Sequence, residues 1–185
     1  SGDFCPDGTA GSDTIVCRVS PPVGSNLDAD VSGFAGEDHI TVNLGVTVFT
    51  VNGDTSFEWS NPLSPVSGNN DTIRNDGQVT LLIGDDIVDG IGGDDTIVNN
   101  GTVVHPNPTE SFVGAILGEQ FKEDIDGSII QGGNDIITNN GTIVGFIFGE
   151  VGSFSGFVNN NIYGGNDTIT NNGTIEIDGA YTWDI

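Results

Sequence analysis

The chain has 185 residues, with 3 Lys and Arg against 27 Asp and Glu, a formal net charge of −24. That balance excludes a nucleic-acid binder, whose phosphate partner needs a basic face, and argues against docking on an anionic membrane. No apolar run approaches the ~20 residues of a membrane span, β-branched residues dominate and glycine numbers 29, so a soluble, turn-rich, all-β fold is expected.

Residues 1–23 differ from the rest and read as an N-terminal cap or extension. They carry both cysteines, Cys5 and Cys17. In an oxidising compartment these can close a small loop as a disulfide; the alternative is two unpaired small core residues. The start at Ser1, without Met, fits an exported chain after signal cleavage or a trimmed one.

From there the chain repeats itself. A fragment, GSDTIVC, runs from Gly11 to Cys17, and GEDHITVNLGV from Gly36 to Val46. Fuller copies follow: GNNDTIRNDGQV (Gly68 to Val79), GGDDTIVNNGTV (Gly92 to Val103), GGNDIITNNGTI (Gly132 to Ile143) and GGNDTITNNGTI (Gly164 to Ile175). In register stand Asp13, Asp38, Asp71, Asp95, Asp135 and Asp167, each with an isoleucine two residues on. An apolar residue follows eight after the aspartate in the later copies: Val46, Val79, Val103, Ile143 and Ile175. A second element, V-x-x-x-x-G-[DE], recurs at Val48–Asp54, Val79–Asp85, Val113–Glu119 and Val144–Glu150. The longest repeat contains His105-Pro106-Asn107-Pro108, a surface insertion.

Units of this size, rich in strand formers and turns, predict a right-handed parallel β-helix (β-solenoid) of about six coils with loop insertions. Residues 24–175 form the solenoid in this reading. Residues 176–185 read as a C-terminal strand or assembly segment. Alternation turns Ile97 inward and Thr96 and Val98 outward, and stacking makes the isoleucines one internal column. The competing fold is a sandwich of hairpins, since Asn-Gly between strand formers is a strong hairpin signal. The recurrence of the same corner favours stacking.

Stacking also aligns the polar residues. Asn75, Asn99, Asn139 and Asn171 form a structural ladder or cap their own turns. Asn70, Asn100, Asn140, Asn166 and Asn172 also open N-x-[ST] sequons, which come free with the repeat. Two acid columns arise as well: Asp71, Asp95, Asp135, Asp167, and Asp54, Asp85, Glu119, Glu150. Like charges ~5 Å apart repel by roughly 1 kcal/mol in water and more at lower dielectric. Such columns need solvent, turn N–H donors or cations. For the first column the simple expectation is an Asx-type turn closed on each aspartate's own backbone.

Gly84-Asp85-Asp86-Ile87-Val88 and Gly93-Asp94-Asp95-Thr96-Ile97 repeat at nine residues. The pair resembles the glycine-rich nonapeptide of calcium-binding RTX β-rolls, with Asp86 and Asp95 at its aspartate position. Leu81-Leu82 and Gly90-Ile91 stand where the motif's first glycines belong. The resemblance implies Ca²⁺ as a cofactor, with Asp85, Asp86, Asp94 and Asp95 as metal ligands.

The wider unit resembles secreted bacterial parallel β-helix repeat proteins, such as autotransporter passengers and large surface adhesins, from about Gly36 to Ile175. That resemblance implies an extracellular or cell-surface stalk or adhesive surface, and no enzyme. Catalytic residues are expected to be none: no G-x-S-x-G, P-loop or H-E-x-x-H occurs. A glycoside hydrolase, which needs only two carboxylates, is the enzymatic alternative. A monomeric calcium- or surface-binding module is another, with a glycan as possible ligand. Thr72, Thr96 and Thr168 share a register of the ice-binding kind, which Ile136 interrupts. Exposed coil edges and the Phe146–Phe157 segment point to homo-oligomers formed by end-to-end or strand-edge contacts, as in a filament or surface layer.

Overall fold

The computed structural model describes residues 5–20, 30–55, 67–88, 90–105, 114–122, 129–153 and 161–177. These residues form fifteen strands, numbered here in chain order, and no helix. Six short strands make one parallel sheet: β1 (Thr14–Cys17), β3 (His39–Val42), β5 (Thr72–Asn75), β7 (Thr96–Asn99), β11 (Ile136–Asn139) and β14 (Thr168–Asn171). A second parallel sheet holds β2 (Asp30–Phe34), β4 (Thr47–Thr55), β6 (Gln78–Val88), β8 (Thr102–Val103) with β9 (Gly114–Lys122), β12 (Thr142–Ser153) and β15 (Thr174–Glu176). Among the described residues a third face consists of β10 (Ile129–Gln131) on β13 (Asn161–Tyr163), extended by bridges from Ser67 to Ile91 and from Ile91 to Gln131. The chain thus winds as a parallel β-helix-like solenoid, and the sandwich is set aside.

Alternation explains the core. Along β7, Ile97 and Asn99 are buried while Thr96 and Val98 are half-buried on the outer face. Register stacks Ile15 on Ile40, then Ile73, Ile97, Ile137 and Ile169. From Ile15 to Ile137 this column is at most 2% exposed. Each fully buried isoleucine contributes ~1.5–3 kcal/mol by leaving water.

The facing apolar column differs by one member from the sequence reading. It runs Val48, Val79, Val103, Ile143, Ile175, so Val48 takes the place expected for Val46. The corner of that coil is longer. Val46 N–H donates to Asn43 O (3.1 Å), and Gly45 adopts φ +80°, which glycine tolerates without a Cβ clash. Residues 106–113 of the insertion lie outside the described residues, and the strands on either side of it, β8 and β9, both pair with β6 and β12.

Cys5 and Cys17 are joined by a disulfide. Cys17 lies on the first rung, opposite Val42. A disulfide is a mark of an oxidising compartment rather than a reducing cytosol. Phe146 and Phe148 stack their rings at 5.7 Å, with Phe148 exposed. Phe154, Phe157 and residues 178–185 lie outside the described residues.

Candidate metal centre

Two kinds of polar column run through the solenoid. The first lies at the Asn-Gly corner. Asn75 Nδ2 donates to Asn99 Oδ1 (2.8 Å), Asn99 to Asn139 (2.7 Å) and Asn139 to Asn171 (2.8 Å). The same side chains cap their corners, since Gly77 N–H donates to Asn75 Oδ1 (3.0 Å) and Gly141 N–H to Asn139 Oδ1 (3.2 Å). Ladder and cap are one arrangement. On the outer face Asn172 donates to Asn140, Asn140 to Asn100, and Asn100 to Asp76.

The second kind is acidic and internal. Each aspartate of the repeat accepts a backbone N–H from the aspartate one coil earlier. Asp13 N–H donates to Asp38 Oδ1 (2.6 Å), Asp38 to Asp71 (2.7 Å), Asp71 to Asp95 (2.8 Å), Asp95 to Asp135 (2.8 Å) and Asp135 to Asp167 (3.0 Å). This replaces the expected Asx-type turn on each residue's own backbone. The parallel register carries the bond to the next coil instead.

The acid of V-x-x-x-x-G-[DE] forms the facing column: Asp54 opposite Asp85, Asp85 opposite Glu119, Glu119 opposite Glu150. These groups accept N–H bonds from the next corner. Asn69 donates to Asp54 Oδ2 from its backbone (2.6 Å) and amide (2.8 Å), Gly93 to Asp85 Oδ2 (2.6 Å), and Gly133 to Glu119 Oε1 (2.6 Å). The glycine before each acid has a packing reason. A Cβ on Gly84 would collide with Asp95 Oδ2, and one on Gly118 with Asp135 Oδ2.

Burial is nearly complete. Asp38, Asp54, Asp71, Asp85, Asp95, Glu119 and Asp135 are each at most 2% exposed. Each has one oxygen satisfied by backbone or amide N–H. Among the described residues no N–H or hydroxyl donor reaches Asp38 Oδ2, Asp54 Oδ1, Asp71 Oδ2, Asp85 Oδ1 or Asp95 Oδ2. The Glu119 and Asp135 carboxyls lie within hydrogen-bonding reach of each other, as do Glu150 and Asp167. Two carboxyls in such contact need a proton or a cation between them.

The electrostatics follow from this. Burial pushes the Asp71 carboxyl up to about 9, against the pull of the Asp38 N–H, and the charges of Asp54, Asp85 and Asp38 add to the rise. Asp38 is pushed to about 6, again chiefly by burial. Asp54, Asp85, Asp95, Glu119, Asp135 and Glu150 all move upward for the same first reason. Arg18 is exposed, and Arg74 Nε pairs with Asp76 at 2.8 Å on the surface, so neither offsets the buried acids; His39 lowers Asp38 only in part.

Two groups draw three carboxylates together: Asp38, Asp54 and Asp71, and then Asp71, Asp85 and Asp95, with ligand oxygens within 4.8 Å of one another. Such clusters are able to bind a metal ion. Of the residues singled out from the nonapeptide pair, Asp85 and Asp95 converge here. Asp86 is half-buried on β6, opposite Thr55 and Gln120. Asp94 is exposed, donates its N–H to Asn70 Oδ1 (2.9 Å) and accepts from Asn134 (2.7 Å) on an outer ladder. Asp38, Asp54 and Asp71 are members that the nonapeptide does not mark. Their signal was the register shared by every repeat.

No known protein family, curated protein or solved structure matches this chain.

Proposed function

We propose that this chain is a secreted structural element, a rigid solenoid of the extracellular or cell-surface kind that joins copies of itself by end-to-end or strand-edge contacts, as a filament, layer or adhesive stalk does. The observation that carries the reading is the parallel stack itself, six rungs in one register tied together by the Asn75–Asn171 ladder. Strand edges of such a stack are templates for a further strand, and the occupant we assign is a second copy of the chain. The resemblance of its repeats to secreted adhesins and the Cys5–Cys17 disulfide support the same setting.

The reading is non-catalytic. The facing carboxylates that a glycosidase would use lie inside the coil, where a glycan does not reach. Calcium is the stabilising ion of this reading, because carboxylate oxygens suit it and thiolates or imidazoles are not involved. Sedimentation velocity and negative-stain microscopy test the assembly. Concentration-dependent oligomers are expected. Monomers at every concentration, with and without Ca²⁺, would overturn it.

A further inference from the structure

We infer that the solenoid encloses a file of calcium ions, one in the group Asp38, Asp54 and Asp71 and one in the group Asp71, Asp85 and Asp95, with Asp71 bridging the two. This deepens the calcium part of the reading above and does not depend on assembly.

The geometry carries it. The oxygens of each group lie within 4.8 Å of one another. An ion bound at ~2.4 Å, the usual calcium–oxygen distance, holds ligands no farther apart than about twice that length. Each group supplies three of the roughly six to eight oxygens that Ca²⁺ takes, and further oxygens complete the shell; Mg²⁺ fits less well, since it demands a smaller, near-ideal octahedron.

A second observation points the same way. Asp38 Oδ2, Asp54 Oδ1, Asp71 Oδ2, Asp85 Oδ1 and Asp95 Oδ2 are buried without an N–H or hydroxyl donor among the described residues. An unsatisfied buried oxygen costs free energy that a packed protein normally avoids. Here the orphaned atoms recur in successive coils, always on the oxygen that the ladder does not use. Their other oxygens are held by N–H bonds at 2.6–2.8 Å, so the free ones are fixed in place. Donor-poor, oriented and built of carboxylate oxygens alone is the description of a hard-cation site. The nonapeptide loop contributes only its two buried aspartates. Its outer Asp94 belongs to a surface ladder.

The test is refolding. The full chain, with its disulfide intact, is unfolded in guanidinium with chelator and returned to buffer at neutral pH with or without Ca²⁺. After dialysis, bound metal is counted by elemental analysis and the melting temperature measured. The proposal expects two retained Ca²⁺ per chain at these groups and a rise in Tm of ~10 °C or more. Asp71→Asn should lose both ions. Asp38→Asn, in case the first variant does not fold, should lose one. Asp94→Asn should lose none. Folded wild-type protein that retains no Ca²⁺ and melts alike in both buffers overturns the proposal, as does loss of metal in Asp94→Asn alone. Loss of assembly with metal retained would count against the proposed function and leave this site standing.

Discussion

Two corners of the same coil stack side chains in columns and reach opposite electrostatic outcomes. At one corner, buried Asn75, Asn99 and Asn139 pass a hydrogen bond from rung to rung. At the other, buried Asp71, Asp95 and Asp135 stack in the same register. An amide both donates and accepts, so the asparagine column satisfies itself. An ionised carboxylate only accepts, so the acid column takes N–H donors from the backbone and still has oxygens left over. Stacking at strand spacing is self-sufficient for groups with both roles. For acids it requires protons or cations from outside.

The largest test of that difference is pH. A carboxyl whose pKa rises on folding keeps its proton to higher pH in the native state than in the unfolded chain. For Asp71, raised from 3.8 to about 9, the native state binds more protons across that interval. Stability then falls as pH rises through it. Asp71 is faced by Asp38, Asp54, Asp85 and Asp95, all acids. Chelator-treated protein should therefore be more stable to urea at pH 5 than at pH 8, and Ca²⁺ should narrow or reverse the gap. Equal stability at both pH values without metal would contradict the burial argument.

Converting one column into the other comes next. Asn99→Asp places a charge in the self-complementary ladder and removes the amide donor to Asn139 Oδ1, which keeps only the Gly141 N–H. It should cost ~3–5 kcal/mol in chemical denaturation at neutral pH. Gly84→Ala forces a Cβ onto Asp95 Oδ2 and the Gly118 carbonyl. A loss of ~3 kcal/mol, or failure to fold, is expected. The reverse conversion, Asp95→Asn, removes a buried acid and supplies a donor. In chelator at pH 8 it should stabilise by ~1 kcal/mol, whereas in Ca²⁺ the sign should invert. Ile97→Val touches neither corner and should cost only ~1 kcal/mol in either buffer, as an ordinary core truncation.

Much of the fold is legible in the sequence. The repeated D-x-I-x-N segment announced both the isoleucine column and the asparagine ladder, because strand alternation ties inward position to residue spacing. The exception was Val46, where four residues rather than two fill the corner before the next strand, a loop length that register alone does not reveal. The candidate site was only half legible. Membership of each acid column could be read from the repeat, but adjacent Asp94 and Asp95 look alike in sequence, and one ends on the surface while the other is buried.

By itself, the sequence determined that coils stack and which residues share a column, since an identical unit repeated along a chain can satisfy identical strand registers. It also placed 27 acids against 3 bases, so that any stacked fold would have to stack charge. Only the tertiary structure decided where that charge went. Asp54 meets Asp71, and Asp85 meets Asp95, because the path around the acid corner brings two sheet ends face to face. Nothing in the spacing along the chain encodes that meeting, since it depends on the corner's shape. Much of the excess charge is therefore not a diffuse acidic skin. It includes a buried double column, and the burial is what demands a proton or a cation.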